Sequence, residues 1–142
     1  MKQISYLLTM SLVLFMSGCF KDIEIKPDPV TDTSKVHVTG DVISVPDQQP
    51  LANIIIEHHW TFNDGDSHKY LAQTDKNGHF EGTVTLRWFS TNYLLLTGGS
   101  VSAFTQGWYL NGEYNKSNYY RIPVRISDPS ELYFKIELVA EE

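Results

Sequence analysis

Alternation with a period of two runs through most apolar segments of this chain, and it restricts the fold more than any other feature. The cleanest case is near the C-terminus, where Leu132, Phe134, Ile136 and Leu138 alternate with Tyr133, Lys135, Glu137 and Val139. Successive side chains on a strand point to opposite faces, so such a segment has one face for a core and one for water. Ile54, Ile56, His58, Trp60 and Phe62 share a parity in the same way, with Ile55, Glu57, His59 and Thr61 on the other. Val36, Val38 and Val42 form an earlier set, and Gly40 between them reads as a bulge. Ile122, Val124 and Ile126 form a later one, in which Pro123 predicts an edge strand because proline lacks the ladder donor.

Turn chemistry separates these segments. Asp75, Asn77 and Gly78 predict a hairpin turn leading into a strand with Phe80, Gly82, Val84 and Leu86 on its buried face. Gly98-Gly99 predicts a second hairpin, joining segments 92–97 and 101–110. Outside the first nineteen residues no segment shows helical i, i+3, i+4 spacing, and no repeat recurs at a fixed period. The residues therefore predict an all-β domain of about seven or eight antiparallel strands, either a sandwich or a barrel. An aromatic content of 13% favours strands, and 42% hydrophobic against 20% charged residues fits a globular domain.

The formal charge of −6 argues against nucleic acid, whose phosphates are bound by clustered Lys and Arg. It equally disfavours electrostatic attachment to anionic lipid. The first nineteen residues offer another route to a membrane. Lys2 precedes an apolar run from Tyr6 to Met16, and Ser17 and Gly18 precede Cys19, the single cysteine. The run is shorter than the roughly 20 residues of a membrane span and has the build of a signal peptide. Met16-Ser17-Gly18-Cys19 resembles the lipobox of bacterial lipoproteins, with Met16 where leucine is usual. That resemblance implies cleavage before Cys19, diacylglycerol on its sulfur and acylation of its amine. Phe20 stands where aspartate would signal inner-membrane retention, so the same resemblance implies the outer membrane, on its periplasmic side or at the surface. With one cysteine no disulfide within the chain can form.

Residues 19–35 contain Pro27, Pro29, Asp28, Asp32 and several Thr and Ser, and read as an anchored linker. At about 3.1 Å per residue, some 15 residues of it reach roughly 45 Å from the lipid. The expected organisation is thus a signal peptide at 1–18, a linker at 19–35 and one domain at 36–142.

Three pieces of that domain, Val38-Thr39-Gly40-Asp41-Val42, Gln49-Pro50-Leu51-Ala52-Asn53-Ile54 and Thr74-Asp75-Lys76-Asn77-Gly78-His79-Phe80, resemble the carboxypeptidase regulatory-like family, which is related in fold to transthyretin. They occur in family order. Past Leu86 the match fades, and Arg87-Trp88-Phe89-Ser90-Thr91-Asn92-Tyr93 replaces the usual Pro-Gly-x-Tyr approach. The resemblance implies a small Greek-key β-sandwich that serves as an accessory or interaction module without activity of its own.

No residue pattern demands catalysis, a cofactor or a metal. Adjacent His58 and His59 point to opposite faces of a strand and cannot chelate one ion together, and no His-Glu-x-x-His or paired-cysteine spacing is present. Asp64, Asp66, Asp75 and Asn77 lack the order of a calcium loop and suit turns. There is no Gly-x-Ser-x-Gly elbow. The segment from Trp108 to Tyr120 is the candidate recognition loop, with Trp108, Tyr109, Tyr114, Tyr119 and Tyr120 as binding residues, since such side chains join flat apolar faces to polar tips. The competing use of the same residues is to close the end of the core. The expectation is a non-enzymatic, lipid-anchored interaction module with a protein partner in the envelope. Carbohydrate binding through 108–120 and an envelope immunity or inhibitor role are the alternatives.

Overall fold

The structure, a computed structural model, describes residues 33–62, 65–87, 90–117 and 119–140. The signal peptide, Cys19 and the linker up to residue 32 lie outside the described residues.

Among the described residues nine strands form two facing sheets: β1 Thr33–Val45, β2 Ile55–Phe62, β3 Gly65–Gln73, β4 His79–Arg87, β5 Thr91–Thr97, β6 Trp108–Leu110, β7 Glu113–Asn115, β8 Arg121–Val124 and β9 Glu131–Val139. One sheet has the order β4-β1-β9-β6-β7 and the other β3-β2-β5-β8. Of the sandwich and the barrel that alternation left open, the all-β sandwich is the architecture found. After the β2–β3 pair on the opposite sheet the chain returns as β4 beside β1, a Greek-key type of connection. Pro123 sits on β8, an edge strand as its missing donor requires.

The inner faces carry most of the residues that alternation marked, although Phe62 at the end of β2 is 45% exposed. Val36, Val38, Val42, Ile54, Ile56, Phe80, Val84, Leu86, Leu94, Ile122, Ile136 and Leu138 are all buried. Each fully buried aliphatic side chain contributes about 1.5–3 kcal/mol from removal of its surface from water.

Several local expectations change. β1 begins at Thr33, so Thr33, Ser34 and Lys35, expected in the linker, pair with Arg87, Leu86 and Thr85. β1 and β9 run parallel, from His37 beside Glu131 to Val45 beside Val139. Alternation cannot tell a parallel from an antiparallel neighbour when one face is solvated, so the sheet is antiparallel everywhere except at this pair. Gly40 is not a bulge, since β1 stays in register with β4 through it. A Cβ there would lie 2.5 Å from the Phe134 carbonyl oxygen and 2.6 Å from the Phe80 ring, so the missing side chain is room for Phe80. The register shift falls instead between Ile56 and Glu57, against β3.

The turn at Asp75–Gly78 is real, but it joins two sheets and does not close a hairpin. β3 pairs with β2, whereas β4 pairs with β1. Asp75 Oδ1 accepts the backbone N–H groups of Asn77 at 2.8 Å and His79 at 3.0 Å. These bonds, that from His79 first, hold the exposed Asp75 carboxyl below the usual carboxylate range. Gly78 has φ of 75° and its carbonyl accepts from Val42 N at 2.9 Å, so the turn is fastened to β1. Thr74, buried beside it, accepts from Ile54 N at 2.9 Å and donates to the Leu51 carbonyl at 2.7 Å.

Gly98-Gly99 likewise does not make a hairpin. Both residues have positive φ, but the chain then crosses to the other sheet through a short 3-10 turn, Val101–Ala103. Burial of Val101 and Phe104 draws this crossing over the end of the core. The hairpin of the second half lies at Asn111-Gly112, with φ of 50° and 88°, between β6 and β7. Asn-Gly is the preferred pair for a turn with two positive φ values.

Candidate functional site

The five aromatic residues singled out between 108 and 120 divide between the interior and the surface. Trp108 and Tyr120 are only 2% and 4% exposed, and their rings meet edge to face at 5.9 Å. The Tyr120 hydroxyl donates to the Phe104 carbonyl, and burial pushes this phenol up from its ordinary pKa. For these two the structure corrects the assignment to a binding loop: they close the core. Trp108 Nε1 is buried without a hydrogen-bond partner among the described residues. Tyr109 and Tyr114 face each other across β6 and β7 at 5.1 Å, and the Tyr114 hydroxyl donates to the Gln106 carbonyl at 2.7 Å. Tyr119, 67% exposed, belongs to a different surface.

That surface is the outer face of the four-stranded sheet, where planar groups from every strand form one row. His68 on β3 stacks on His59 of β2 at 5.1 Å and 18°, and His59 stacks on Tyr93 of β5 at 5.1 Å and 17°. The Arg121 guanidinium lies 4.8 Å from the Tyr93 ring centre and 5.7 Å from that of Tyr119. The register explains the row, because His59 pairs with His68 on one side and with Tyr93 on the other. Arg121 reaches Tyr93 diagonally, since it is Pro123 that stands opposite. Ring centres separated by about the strand spacing and nearly parallel mean that the rings stand on the sheet face to face. They present edges and polar tips outward. His59 Nε2 donates to Glu57 Oε2 at 2.9 Å, which fixes the middle of the row. Pairwise alternation marked Glu57 and His59 as outward, but the row depends on cross-strand register, which no single segment encodes.

A groove of about 310 Å³ opens where the edges β3 and β4 meet. His58, Trp60, Lys69, Tyr70, Leu71, Thr83, Thr85 and Arg87 line it. His58 is buried and its Nε2 lies 3.0 Å from Asn92 Oδ1. Asn92 Nδ2 donates to the Ser90 carbonyl at 3.1 Å and to Ser90 Oγ at 2.9 Å, so the oxygen of this amide faces His58 and must accept. His58 Nε2 therefore carries a hydrogen, and Nδ1 of the neutral ring is an acceptor. Burial pushes the His58 pKa down, favouring that neutral form.

The outer face of the five-stranded sheet is different again. Asp41 accepts from the Tyr133 hydroxyl at 2.6 Å and from His79 Nδ1 at 2.8 Å. The Tyr133 bond is the main cause holding Asp41 below the usual carboxylate range; partial burial opposes it and His79 adds to it. His37 with Glu81 at 3.3 Å and Lys135 with Glu137 at 3.2 Å complete a face of paired polar groups. Among the described residues no three His, Cys, Asp or Glu side chains converge as metal ligands.

The chain matches no family model and no curated protein. Among solved structures, a 9R-lipoxygenase from Cyanothece PCC8801 is similar at 18% identity and a TM-score of 0.34, over 80% of this chain and 17% of that one. The chain thus spans less than a fifth of that lipoxygenase's length.

Proposed function

We propose that this chain is an outer-membrane lipoprotein, held by lipid on Cys19, whose β-sandwich is a non-catalytic interaction module of the carboxypeptidase regulatory-like type. The observation that carries the interaction reading is the stacked row of His68, His59, Tyr93, Arg121 and Tyr119. A row already ordered by stacking loses little side-chain freedom on binding, and its outward tips include donors and acceptors. Tyr and Arg are the residue types enriched where proteins meet. Ring faces that cover one another are a poor platform for a sugar, which favours a protein partner on this face. The lipobox supports the anchor, and no described helix is long and apolar enough to cross a membrane.

Crosslinking in intact membranes followed by purification of the full chain tests the reading. A discrete adduct with another envelope protein is expected, reduced about tenfold by His59→Ala with Tyr93→Ala, the loss typical of an interface hot spot. Recovery of monomer alone, or a yield unchanged by the double substitution, counts against it. Palmitate labelling tests the anchor separately: Cys19→Ser is expected to abolish uptake, and a labelled Cys19→Ser protein refutes lipidation.

A further inference from the structure

The groove between β3 and β4 shares no residue with the stacked row, and its lining has an uncommon charge. The protein is acidic overall, yet among the described residues no Asp or Glu lines the groove while Lys69 and Arg87 both do. Among the described residues neither cation forms an ion pair. Beside them are the hydroxyls of Thr83 and Thr85, two residues apart on one face of β4 and therefore about 7 Å apart along the strand. His58 Nδ1 is an acceptor, because Asn92 occupies Nε2. Trp60 is partly exposed and supplies an apolar ring, with the His58 ring centre 5.0 Å away.

From this set we infer that the groove binds one carboxylate-bearing sugar ring, of the uronic acid class. Each lining group then has a chemical complement. Arg87 and Lys69 offer charge-assisted donors to the carboxylate. Thr83 and Thr85 both donate to and accept from ring hydroxyls, and His58 Nδ1 accepts from one. Trp60 takes the apolar C–H face of the ring. The volume is at the low end of the roughly 300–1,000 Å³ of small-ligand pockets, which suits a single ring more than a chain. A neutral sugar would leave two cations without an anion. A free inorganic anion would make no use of Trp60.

The test is titration of the full lipidated chain, in detergent micelles, with glucuronate, a short oligogalacturonide, glucose and inorganic phosphate, followed by tryptophan fluorescence and calorimetry. Saturable binding of glucuronate is expected at a Kd of about 1 mM or tighter, with glucose at least about tenfold weaker. Arg87→Gln and Lys69→Gln, both at surface positions, are each expected to weaken glucuronate about tenfold while leaving the melting temperature in place. Tighter binding of the oligogalacturonide identifies a polymer end as the natural source, and equal binding identifies the free acid. The inference is overturned if glucose binds as well as glucuronate, if phosphate competes as strongly as the uronate, if neither substitution changes the affinity, or if no acidic sugar binds. None of these results bears on the crosslinking outcome, which concerns a separate set of residues, the stacked row.

Discussion

The two outer faces of this sandwich are built from similar residue types and arranged in opposite ways. On the five-stranded sheet Asp41, His79 and Tyr133 bond to one another, as do His37 with Glu81 and Lys135 with Glu137. Their polar atoms satisfy each other. On the four-stranded sheet His68, His59, Tyr93, Arg121 and Tyr119 meet through ring faces and the guanidinium plane, so most of their polar tips remain for something else. The lesson is that composition does not separate a closed surface from an open one. Pairing geometry does, because a donor already bonded at 2.6 Å must lose that partner before it serves another.

The largest effect is expected beneath both faces. Gly40→Ala places a methyl against the Phe134 carbonyl and the Phe80 ring, and about 3 kcal/mol of destabilisation is expected in urea unfolding. Both faces should then fail together; retention of wild-type stability would mean that the Phe80 ring has space to move that the packing denies it. Next in size is Asn92→Ala, which leaves buried His58 without its acceptor at a cost of about 2 kcal/mol. Unchanged unfolding in that variant would remove the argument for the His58 tautomer.

The faces themselves should differ. Tyr93→Ala interrupts the row at its centre and is expected to cost about 1 kcal/mol of stacking together with partner capture. Tyr133→Phe is expected to cost about 1 kcal/mol near neutral pH, with no change in capture. Its pH dependence has a definite sign. Because the native pKa of Asp41 is lowered, the stability it brings is present above the unfolded value of about 3.9 and disappears as pH falls through the lower native value. The difference between wild type and Tyr133→Phe should shrink over that acid window, and a difference independent of pH would break the link between Tyr133 and Asp41. The smallest change is expected from Lys135→Ala, within about 0.5 kcal/mol, since an exposed ion pair contributes little.

Much of the first half was readable in the chain. Thr74, Asp75, Gly78 and Phe80 act locally: an Asx-type turn, a positive φ and an apolar residue at the right parity need only near neighbours to take effect. The error there, a hairpin where the chain passes between sheets, concerns partners and not conformations. In the second half, Gly98-Gly99 was legible as a turn but not as a crossing, because the burial of Val101 and Phe104 that directs it depends on a core assembled from distant strands. Asn111-Gly112 is a stronger hairpin signal than Gly98-Gly99, because Asn-Gly is the preferred pair for a tight turn with two positive φ values. Of the aromatic residues around it, Trp108 and Tyr120 went to the core, and no local signal distinguishes a ring that closes a sandwich from one that stands outside it.

Side-chain parity, turn conformation and the acidic balance are properties of a few consecutive residues, so they are present before the chain folds. They suffice for an all-β sandwich or barrel with an inward face assigned on most of the longer strands. Strand neighbours and register are settled by which distant segments bury their apolar faces together, as when β1 and β9, the first and last strands, align in parallel. The stacked row, the β3–β4 groove and the Asp41 network all lie across such pairings. Each is made of residues far apart in the chain, and each exists because nonlocal burial brought those residues to strand spacing.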